Sequence, residues 1–467
     1  MKQSKRTMAA LLAASTLFVV ACGDDEDSAD TTTAETTAET TAETTAETTA
    51  ETTPAETTPA TEPMAEAWAV DTSTCVDEDA ANAPIEGTIK IGSAMPLTGG
   101  AAASAFSPVK AGFEAYVQYT NENKLLGDDL TLEVQIEDDQ YNAELTPGAV
   151  ATLLESDVDM FAGIIGTANN LAVRDTLNDN CYPQLSNLTG SPAWGDVENY
   201  PWTTGGLVPY NVESKVYGVA IAELFPDGAS VALFHVNSEF GQVYVDAFNE
   251  TAGDYGIEIV GTETVEATDQ APPTAQITNI AALAPDVIMA VPLGAQCITF
   301  LTEVANAKAA NAGWDPKIFI TNTCASSLIL GVAGAAADGL YTSSNGLDLN
   351  NPEVKEMPVV ADYFAYMDSL GHSDIAITAS VGWSLGEAMV KIINQAKESP
   401  EGLTRASIMN AARNFETVGS FAYPGVVTKM SGVEDPYGAE SLIVRQYDAD
   451  TATFADVGEL ITEFESS

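Results

Sequence analysis

The feature that most constrains the fold is a regular alternation of strand-like and helix-like segments between residues 88 and 321. A first series has strands at 88–92, 130–137 and 159–165, and helices at 107–122, 146–154 and 168–177. A second series has helices at 211–224, 241–255, 273–283 and 296–309, and strands at 230–235, 257–260, 287–291 and 317–321. Strands that alternate with helices at this spacing predict right-handed βαβ crossovers and parallel sheets. Two such series predict an α/β protein with two doubly wound, Rossmann-like lobes.

The length of the chain also favours two lobes, because about 400 residues remain from Trp68 onward and a single core rarely serves so many. Helices at 353–369 and 376–397 and a strand at 442–447 follow the second series. We assign 84–204 plus 345–420 to an N-terminal lobe and 205–344 plus 421–467 to a C-terminal lobe, with three hinge crossings near residues 205, 344 and 420. Ligands of open parallel sheets bind beyond the carboxyl ends of the strands, so two facing lobes predict a cleft between them.

The N-terminus has the pattern of a secretory signal. Three basic residues precede an apolar run, 8–21, that is too short to span a bilayer comfortably but has the length of a signal-peptide core. The run ends in Val19-Val20-Ala21-Cys22-Gly23, which resembles the bacterial lipobox. The resemblance implies a signal peptide at residues 1–21, a lipid on Cys22 and a membrane-anchored, extracytoplasmic protein; an ordinary signal with an incidental cysteine is the alternative. No later segment is expected to reach transmembrane length.

The stretch after Cys22 is of low complexity, with Thr-Thr-Ala-Glu repeated from residue 32 to residue 51. Glutamates four residues apart repel each other, and threonine is a poor helix former. Without large apolar residues to bury, the stretch cannot offset its ordering entropy. We predict that residues 22–83 form a disordered spacer between the lipid and the folded body.

The chain carries 68 acidic and 17 basic residues, and the acidic excess continues through the body. Nucleic-acid binding requires a basic surface, so nucleic acid is excluded as a partner. Solubility or a salty environment explains the acidity more simply than a functional acidic patch does.

Four cysteines follow Cys22, and an even number in an oxidising compartment predicts disulfides with three alternative pairings. Cys75 and Cys181 each precede a strand of the first series, whereas Cys297 and Cys324 each follow a strand of the second. We therefore predict the pairs 75–181 and 297–324. A zinc site is the alternative, but wide spacing and only two histidines argue against it, and we expect neither metal nor cofactor.

Short motifs occur in a specific order along the body. They include Ile89-Lys90-Ile91-Gly92, Pro96-Leu97-Thr98-Gly99, Asp138-Asp139-Gln140-Tyr141, Gly166-Thr167-Ala168-Asn169 and Asn237-Ser238-Glu239-Phe240-Gly241. In this order, from about residue 86 to 447, the motifs resemble type I periplasmic binding proteins, and more narrowly the branched-chain amino acid and amide group that serves ABC importers. The resemblance implies two lobes that close on a small solute and deliver it to an ABC permease.

The resemblance also implies ligand-binding residues. Relatives hold a carboxylate with a hydroxyl and backbone amides at two loops, which here are Thr167-Ala168-Asn169 and Thr189-Gly190-Ser191. Free N–H groups and a helix dipole favour an anion at such a loop, although the threonines alternatively only cap helices or turns. Ser104 matches the first ligand loop of the family. Phe240 lies where relatives place an aromatic wall, with core packing as the alternative.

One departure from the family pattern concerns the loop after the strand at 317–321. Branched-chain relatives have an acid there for the ligand ammonium, but this chain reads Asn322-Thr323-Cys324. Either another acid serves or the ligand is not a simple α-amino acid. We expect capture of a small polar solute, with an amino acid or amide as the first candidate. Ligand sensing for a membrane receptor is the alternative.

One short stretch of the sequence matches the pattern of a catalytic motif. Gly382-Trp383-Ser384-Leu385-Gly386 matches the Gly-x-Ser-x-Gly pattern of a nucleophile elbow, which requires a strand-to-helix turn and a histidine later in the chain. Both histidines, His235 and His372, precede Ser384, and the motif lies in a helix-like run. We therefore expect a chance match and no enzyme activity.

Overall fold

The computed structural model describes residues 67–466, apart from the side chains of residues 100, 101 and 104. The predicted signal peptide at 1–21, the predicted lipidation site at Cys22 and most of the predicted spacer lie outside the described residues.

A first sheet contains five strands, all parallel. They are β1 (Thr88–Met95), β2 (Thr131–Asp138), β3 (Met160–Ala162), β4 (Gln184–Asn187) and β5 (Thr203–Gly205). The strand order is β2-β1-β3-β4-β5. β1 is buried from Ile91 to Met95 because helices cover both faces of the sheet, as is usual for parallel strands.

A second sheet contains seven strands. They are β6 (Ala229–Val236), β7 (Ile257–Val265), β8 (Val287–Val291), β9 (Lys317–Ile320), β10 (Tyr341–Ser344), β13 (Leu442–Asp448) and β14 (Thr453–Ile461), and a separate two-stranded ribbon joins β11 (Glu416–Thr417) to β12 (Thr428–Lys429). The order is β14-β13-β10-β9-β8-β6-β7. The alternation of helices and strands had predicted a purely parallel sheet. β13 pairs antiparallel with both β10 and β14, so this sheet is mixed.

Thirteen α-helices connect and cover these strands within the described residues. They are α1 (Glu78–Asn82), α2 (Gly100–Asn123), α3 (Thr146–Glu155), α4 (Thr167–Asp179), α5 (Tyr210–Leu224), α6 (Glu239–Thr251), α7 (Thr274–Leu283), α8 (Gln296–Ala310), α9 (Ser327–Ala333), α10 (Pro352–Lys355), α11 (Pro358–Ser369), α12 (Ala376–Ala396) and α13 (Arg405–Arg413). The prediction of a single helix at 353–369 is wrong, because two helices, α10 and α11, occupy this segment. Pro358 starts α11 and its ring disfavours helical backbone at Met357, so the segment breaks there.

The two sheets define two α/β lobes, which confirms the predicted fold class. We call the elements packed on the five-stranded sheet the first lobe and those on the seven-stranded sheet the second lobe. The chain leaves the first sheet after β5, leaves the second after β10, and enters the second again at β13. Between β10 and β13 the chain returns to the first lobe, where α12 packs along α2. The segment after β11 also contacts that lobe, since Tyr437 donates a hydrogen bond to the Pro192 carbonyl. The exact lobe boundaries remain predictions.

Helix α12 is the apolar core helix of the first lobe. With the turn before it, Ser373–Ala396 is long and apolar enough to cross a membrane by composition alone, so the expectation that no later segment reaches that length is wrong. More than half of this segment is buried in the protein. Gly112 of α2 and Gly382 of α12 bring the two backbones together, because a Cβ on Gly382 would lie 1.9 Å from the Val109 carbonyl oxygen.

Two disulfides form as predicted. Cys75 bonds to Cys181 with a Cα–Cα distance of 5.6 Å, and Cys297 bonds to Cys324 with a Cα–Cα distance of 5.8 Å. The first bond ties the start of the described chain to the end of α4, and the second joins α8 to the loop after β9.

Residues 67–83, which the prediction assigned to the disordered spacer, are folded onto the first lobe. The Val70 N–H donates to Asn410 Oδ1, the Trp68 carbonyl accepts from Asn414, and α1 and Cys75 follow. The prediction extended the spacer too far because the ordering contacts come from distant parts of the chain, the end of α4 and the residues of α13 and its C-cap.

Candidate ligand-binding cleft

A cavity of ≈ 340 Å³ lies between the two lobes. The first lobe contributes α2 and the loops after β3 and β4, and the second lobe contributes the loops after β8, β9 and β10. These loops follow the carboxyl ends of parallel strands, which is where open α/β sheets bind ligands. The size suits a small organic molecule, since ligand pockets usually begin near 300 Å³.

The cavity walls are mainly apolar. Aromatic rings come from both lobes: Phe106 stacks near Tyr141 with 6.3 Å between ring centroids, and Tyr210 packs edge-on against Phe240 at 5.0 Å. Aliphatic side chains complete the walls, including Ile165, Leu188, Leu207, Leu293, Leu347 and Leu349. Phe240 therefore lies at the cavity wall, where the sequence placed an aromatic ring, and also belongs to the second-lobe core.

The start of α4 borders the cavity through Gly166, which adopts φ 102° and carries no side-chain cap. The N–H groups of the first helical turn face this end without an internal partner, as in any α-helix. Behind Gly166 and Leu188, the hydroxyls of Thr167 and Thr189 hydrogen-bond to each other at 2.6 Å and are both buried. The two predicted loops thus meet at one point beneath the cavity wall.

Asn169 has structural hydrogen bonds. Its Nδ2 donates to Asp139 Oδ2 and to Thr146 Oγ1, both at 2.9 Å, in a buried group that joins α4 to the loop after β2. Burial raises the pKa of the Asp139 carboxyl, whereas its hydrogen bonds from Tyr141, Thr146 and Asn169 lower it. The side chain of Asn169 thereby fixes the position of the α4 N-terminus.

The remaining predicted residues differ in position. Ala168 is exposed, Ser191 Oγ caps a short 3₁₀ turn by accepting from the Ala193 N–H, and the side chain of Ser104 lies outside the described part. The Gly190 carbonyl accepts from the Tyr210 N–H at 2.7 Å. A Cβ on Gly190 would lie 2.2 Å from the Val208 carbonyl oxygen, so this position requires glycine to let the loop approach the first crossing.

Glu213 of α5 is a buried carboxylate that the sequence analysis missed. It accepts hydrogen bonds from the hydroxyls of Tyr217, Tyr244 and Ser343, and from the Asn322 N–H at 2.8 Å. Burial raises the pKa of the Glu213 carboxyl, and the four donors oppose that shift. The loop at Asn322 has no acid of its own, but the Glu213 carboxylate holds it through the Asn322 N–H. Glu213 itself is not among the residues that line the cavity. The sequence could have indicated this burial, because Glu213 lies on the apolar face of α5 with Val212 and Val216.

Arg445 of β13 is a second missed residue. It lines the second-lobe end of the cavity and is only 5% exposed. Its Nε donates to Asp456 Oδ1 at 2.9 Å, and its guanidinium lies 5.4 Å from the Tyr423 ring centroid. Asp348 also lines this end, and its two oxygens accept from the N–H groups of Asn350 and Phe454.

The sequence model of the periplasmic binding protein family matches residues 88–434. The chain belongs to this family. The match spans both lobes and ends before β13, so the strand that carries Arg445 follows the matched region.

Solved structures of other binding proteins share the fold of this periplasmic binding protein. A branched-chain amino acid ABC transporter protein from Thermus thermophilus with bound valine is 19% identical, with a TM-score of 0.70 over 81% of this chain and 97% of that one. A fatty acid ABC transporter substrate-binding protein from Thermomonospora curvata is 16% identical, with a TM-score of 0.67 over 81% and 93%. A solute-binding protein from R. palustris in complex with 4-hydroxybenzoate is 18% identical, with a TM-score of 0.66 over 80% and 97%. A comparison with curated protein sequences finds no match.

The Gly-x-Ser-x-Gly motif of this periplasmic binding protein lies within α12, as predicted, and not at a strand-to-helix turn. Its glycines serve close helix packing: Gly382 faces the α2 backbone, and a Cβ on Gly386 would lie 2.7 Å from Tyr116 Cβ. Trp383 packs edge-on against Tyr116 and Tyr363. Packing of α12 on α2 and α11 therefore explains the motif.

Proposed function

We propose that this chain is an extracytoplasmic solute-binding lipoprotein, anchored through Cys22, that captures a small and largely apolar organic solute between its lobes for an ABC importer. The observation that carries the proposal is the cavity between the lobes, to which both lobes contribute apolar walls. Membership of the periplasmic binding protein family supports delivery to a permease in place of catalysis. The lipobox-like motif at Cys22 supports the anchor.

The narrower proposal of an amino acid or amide ligand is harder to support than capture itself. An α-ammonium requires an acceptor, preferably a carboxylate, when water is expelled. Among the described residues that line the cavity, Asp348 is the one acid, and both of its oxygens already accept backbone N–H groups. Glu213 has four donors of its own. We therefore extend the proposed ligand class to apolar organic acids, alongside amino acids and amides.

The proposed contact in the first lobe is the N-terminus of α4 with the hydroxyls of Thr167 and Thr189. The unpaired N–H groups of the first turn and the positive end of the helix dipole would donate to an oxygen of the ligand. The two hydroxyls belong to the residues that follow Gly166 and Leu188, which line the cavity, and would exchange their mutual hydrogen bond for bonds to the ligand.

A thermal-shift screen of the full chain tests this function. We expect at least one of the amino acids, amides, benzoates or short fatty acids to raise the melting temperature by several degrees, because a ligand at a hundredfold excess over its Kd stabilises the native state by about 2.7 kcal/mol. The Thr167→Ala/Thr189→Ala variant should bind that ligand roughly tenfold or more weakly, since two hydrogen bonds of about 1 kcal/mol each are lost.

A matched control is the Thr278→Ala/Thr302→Ala variant, in which two exposed threonines lose only hydrogen bonds to carbonyls one helical turn earlier. It should bind as the unchanged protein does. If no compound of the screen shifts the melting temperature, solute capture of this class is refuted. If both double variants bind equally well, the assignment of Thr167 and Thr189 fails while capture stands.

A further inference from the structure

We propose that Arg445, at the second-lobe end of the cavity, binds the carboxylate of the solute, and that the preferred ligand is therefore an apolar organic acid. The inference rests on the proposed function and adds the ligand class and the residue that selects it. It concerns the opposite end of the cavity from the α4 loops.

The guanidinium of Arg445 has donors to spare. An arginine carries five N–H donors, and only Nε has a protein acceptor within the described residues, namely Asp456. The side chain is nevertheless almost fully buried, and it borders the cavity. Buried cationic donors without an acceptor are costly, so the terminal nitrogens require water or a ligand oxygen at the cavity surface.

The position of Arg445 in the sheet supports this role. Arg445 pairs directly with Thr342 across β10 and β13, so both side chains project from the same face of the sheet, and both residues line the cavity. The Thr342 hydroxyl is fully buried, so the guanidinium supplies the donors of the recess at this end of the cavity. Its terminal nitrogens suit two oxygens of one ligand group.

The neighbouring charges leave this recess open to an anion. Asp456 engages Arg445 on the side away from the cavity, and its side chain is 41% exposed, so solvent screens its charge. Asp348 accepts N–H groups from two backbone positions, which offsets part of its negative charge. Arg445 is the single cationic side chain among the described residues that line the cavity.

The ligand class follows from the two ends of the cavity together. The apolar walls favour a ligand with a hydrocarbon chain or an aromatic ring, because burial of its apolar surface against them contributes to the free energy of binding. A planar guanidinium pairs with a carboxylate through two parallel hydrogen bonds, which a neutral amide cannot reproduce. An apolar monocarboxylate satisfies both requirements, and a hydroxyl or carbonyl oxygen at its other end would also meet the proposed α4 contact.

Isothermal titration of the full chain with benzoate against benzamide, and with hexanoate against hexanamide, tests the inference. Each carboxylate should bind about tenfold to a hundredfold more tightly than its amide, because a hydrogen bond to a charged group contributes about twice as much as a neutral one. Arg445→Gln should remove this preference by weakening the binding of the carboxylate. Arg445→Lys should keep part of it, since the charge remains but the planar fork is lost.

Two further variants separate binding from folding. Arg405→Gln removes a cation that lies over Tyr182, away from the cavity, and should leave the preference unchanged. Asp456→Asn removes the partner of Arg445 but keeps the guanidinium, so carboxylate affinity should hold or rise while stability falls. An Arg445 with a purely structural role would instead make Asp456→Asn and Arg445→Gln behave alike. Equal binding of acid and amide by the unchanged protein overturns the inference, as does the absence of binding by both acids; if other compounds of the screen still bind, the proposed function survives.

Discussion

Replacing Cys75 and Cys181 together by serine should lower the free energy of unfolding by about 4.8 kcal/mol, the larger of two disulfide effects. The bond closes a loop across a sequence separation of 106 residues, and a long loop restricts the unfolded chain strongly. Cys297 and Cys324 are separated by 27 residues, so the same replacement there should cost about 3.5 kcal/mol. Urea unfolding, monitored separately for each lobe, measures both values.

The second pair serves as the matched control for the first. Loss of the Cys75–Cys181 bond should also loosen residues 67–83 from the first lobe, because what then remains is the packing of Trp68, Val70 and Ala81 and a few hydrogen bonds. Limited proteolysis should then cleave this segment in the Cys75 variant but not in the Cys297 variant. If the Cys297–Cys324 bond contributes more than the Cys75–Cys181 bond, closure of the unfolded loop is not the dominant effect.

Replacing Gly382 by alanine should destabilise the first lobe by about 3 kcal/mol. The new Cβ would lie 1.9 Å from the Val109 carbonyl oxygen and 2.6 Å from the Phe113 nitrogen, both of them backbone atoms that cannot rotate away. Helices α2 and α12 would have to separate along their length, which is the situation in which added core atoms cost most. The loss should exceed the roughly 1 kcal/mol that alanine gains over glycine in a helix.

Gly331→Ala in α9 is the control for this substitution. A Cβ there meets no atom within 4 Å, so only the helix propensity changes and stability should rise slightly. Ser384→Ala, within the same Gly-x-Ser-x-Gly motif, should alter stability little, because Ser384 is only partly buried. A Gly382→Ala variant as stable as the unchanged protein would contradict the packing explanation of the motif.

Residues 88–321 show how far the sequence predicts the fold. Strands such as β8 (Val287–Val291) are wholly apolar and lie between helices of clear periodicity, so local patterns suffice to find them. β14 (Thr453–Ile461) was missed because it is an edge strand without a fully buried residue and with a glycine at position 458. Helix α13 was missed as well; it packs on α12 and also contacts residues 67–83, and no local pattern reveals these contacts.

The cleft was predictable from topology, but its chemistry was not. Alternating strands and helices place binding loops at the carboxyl ends of strands, and Phe240 and the α4 loop lie there. Arg445 looks like an ordinary surface residue of a short strand, because its burial arises only when β13 inserts between β10 and β14. Glu213 is likewise explained only by rings from α6 and a loop from β9 that meet it in space.

Hydrogen exchange with and without a ligand from the screen tests the central claim, capture between the lobes, most directly. We predict that the ligand slows exchange at the start of α4 in the first lobe and at the Asn322–Ser327 loop in the second lobe together, because both border the cavity. Protection in one lobe alone would contradict capture between the lobes. A separate cavity lies at the three crossings and is lined in part by Leu385 and Phe415; protection confined to that cavity would also contradict capture between the lobes.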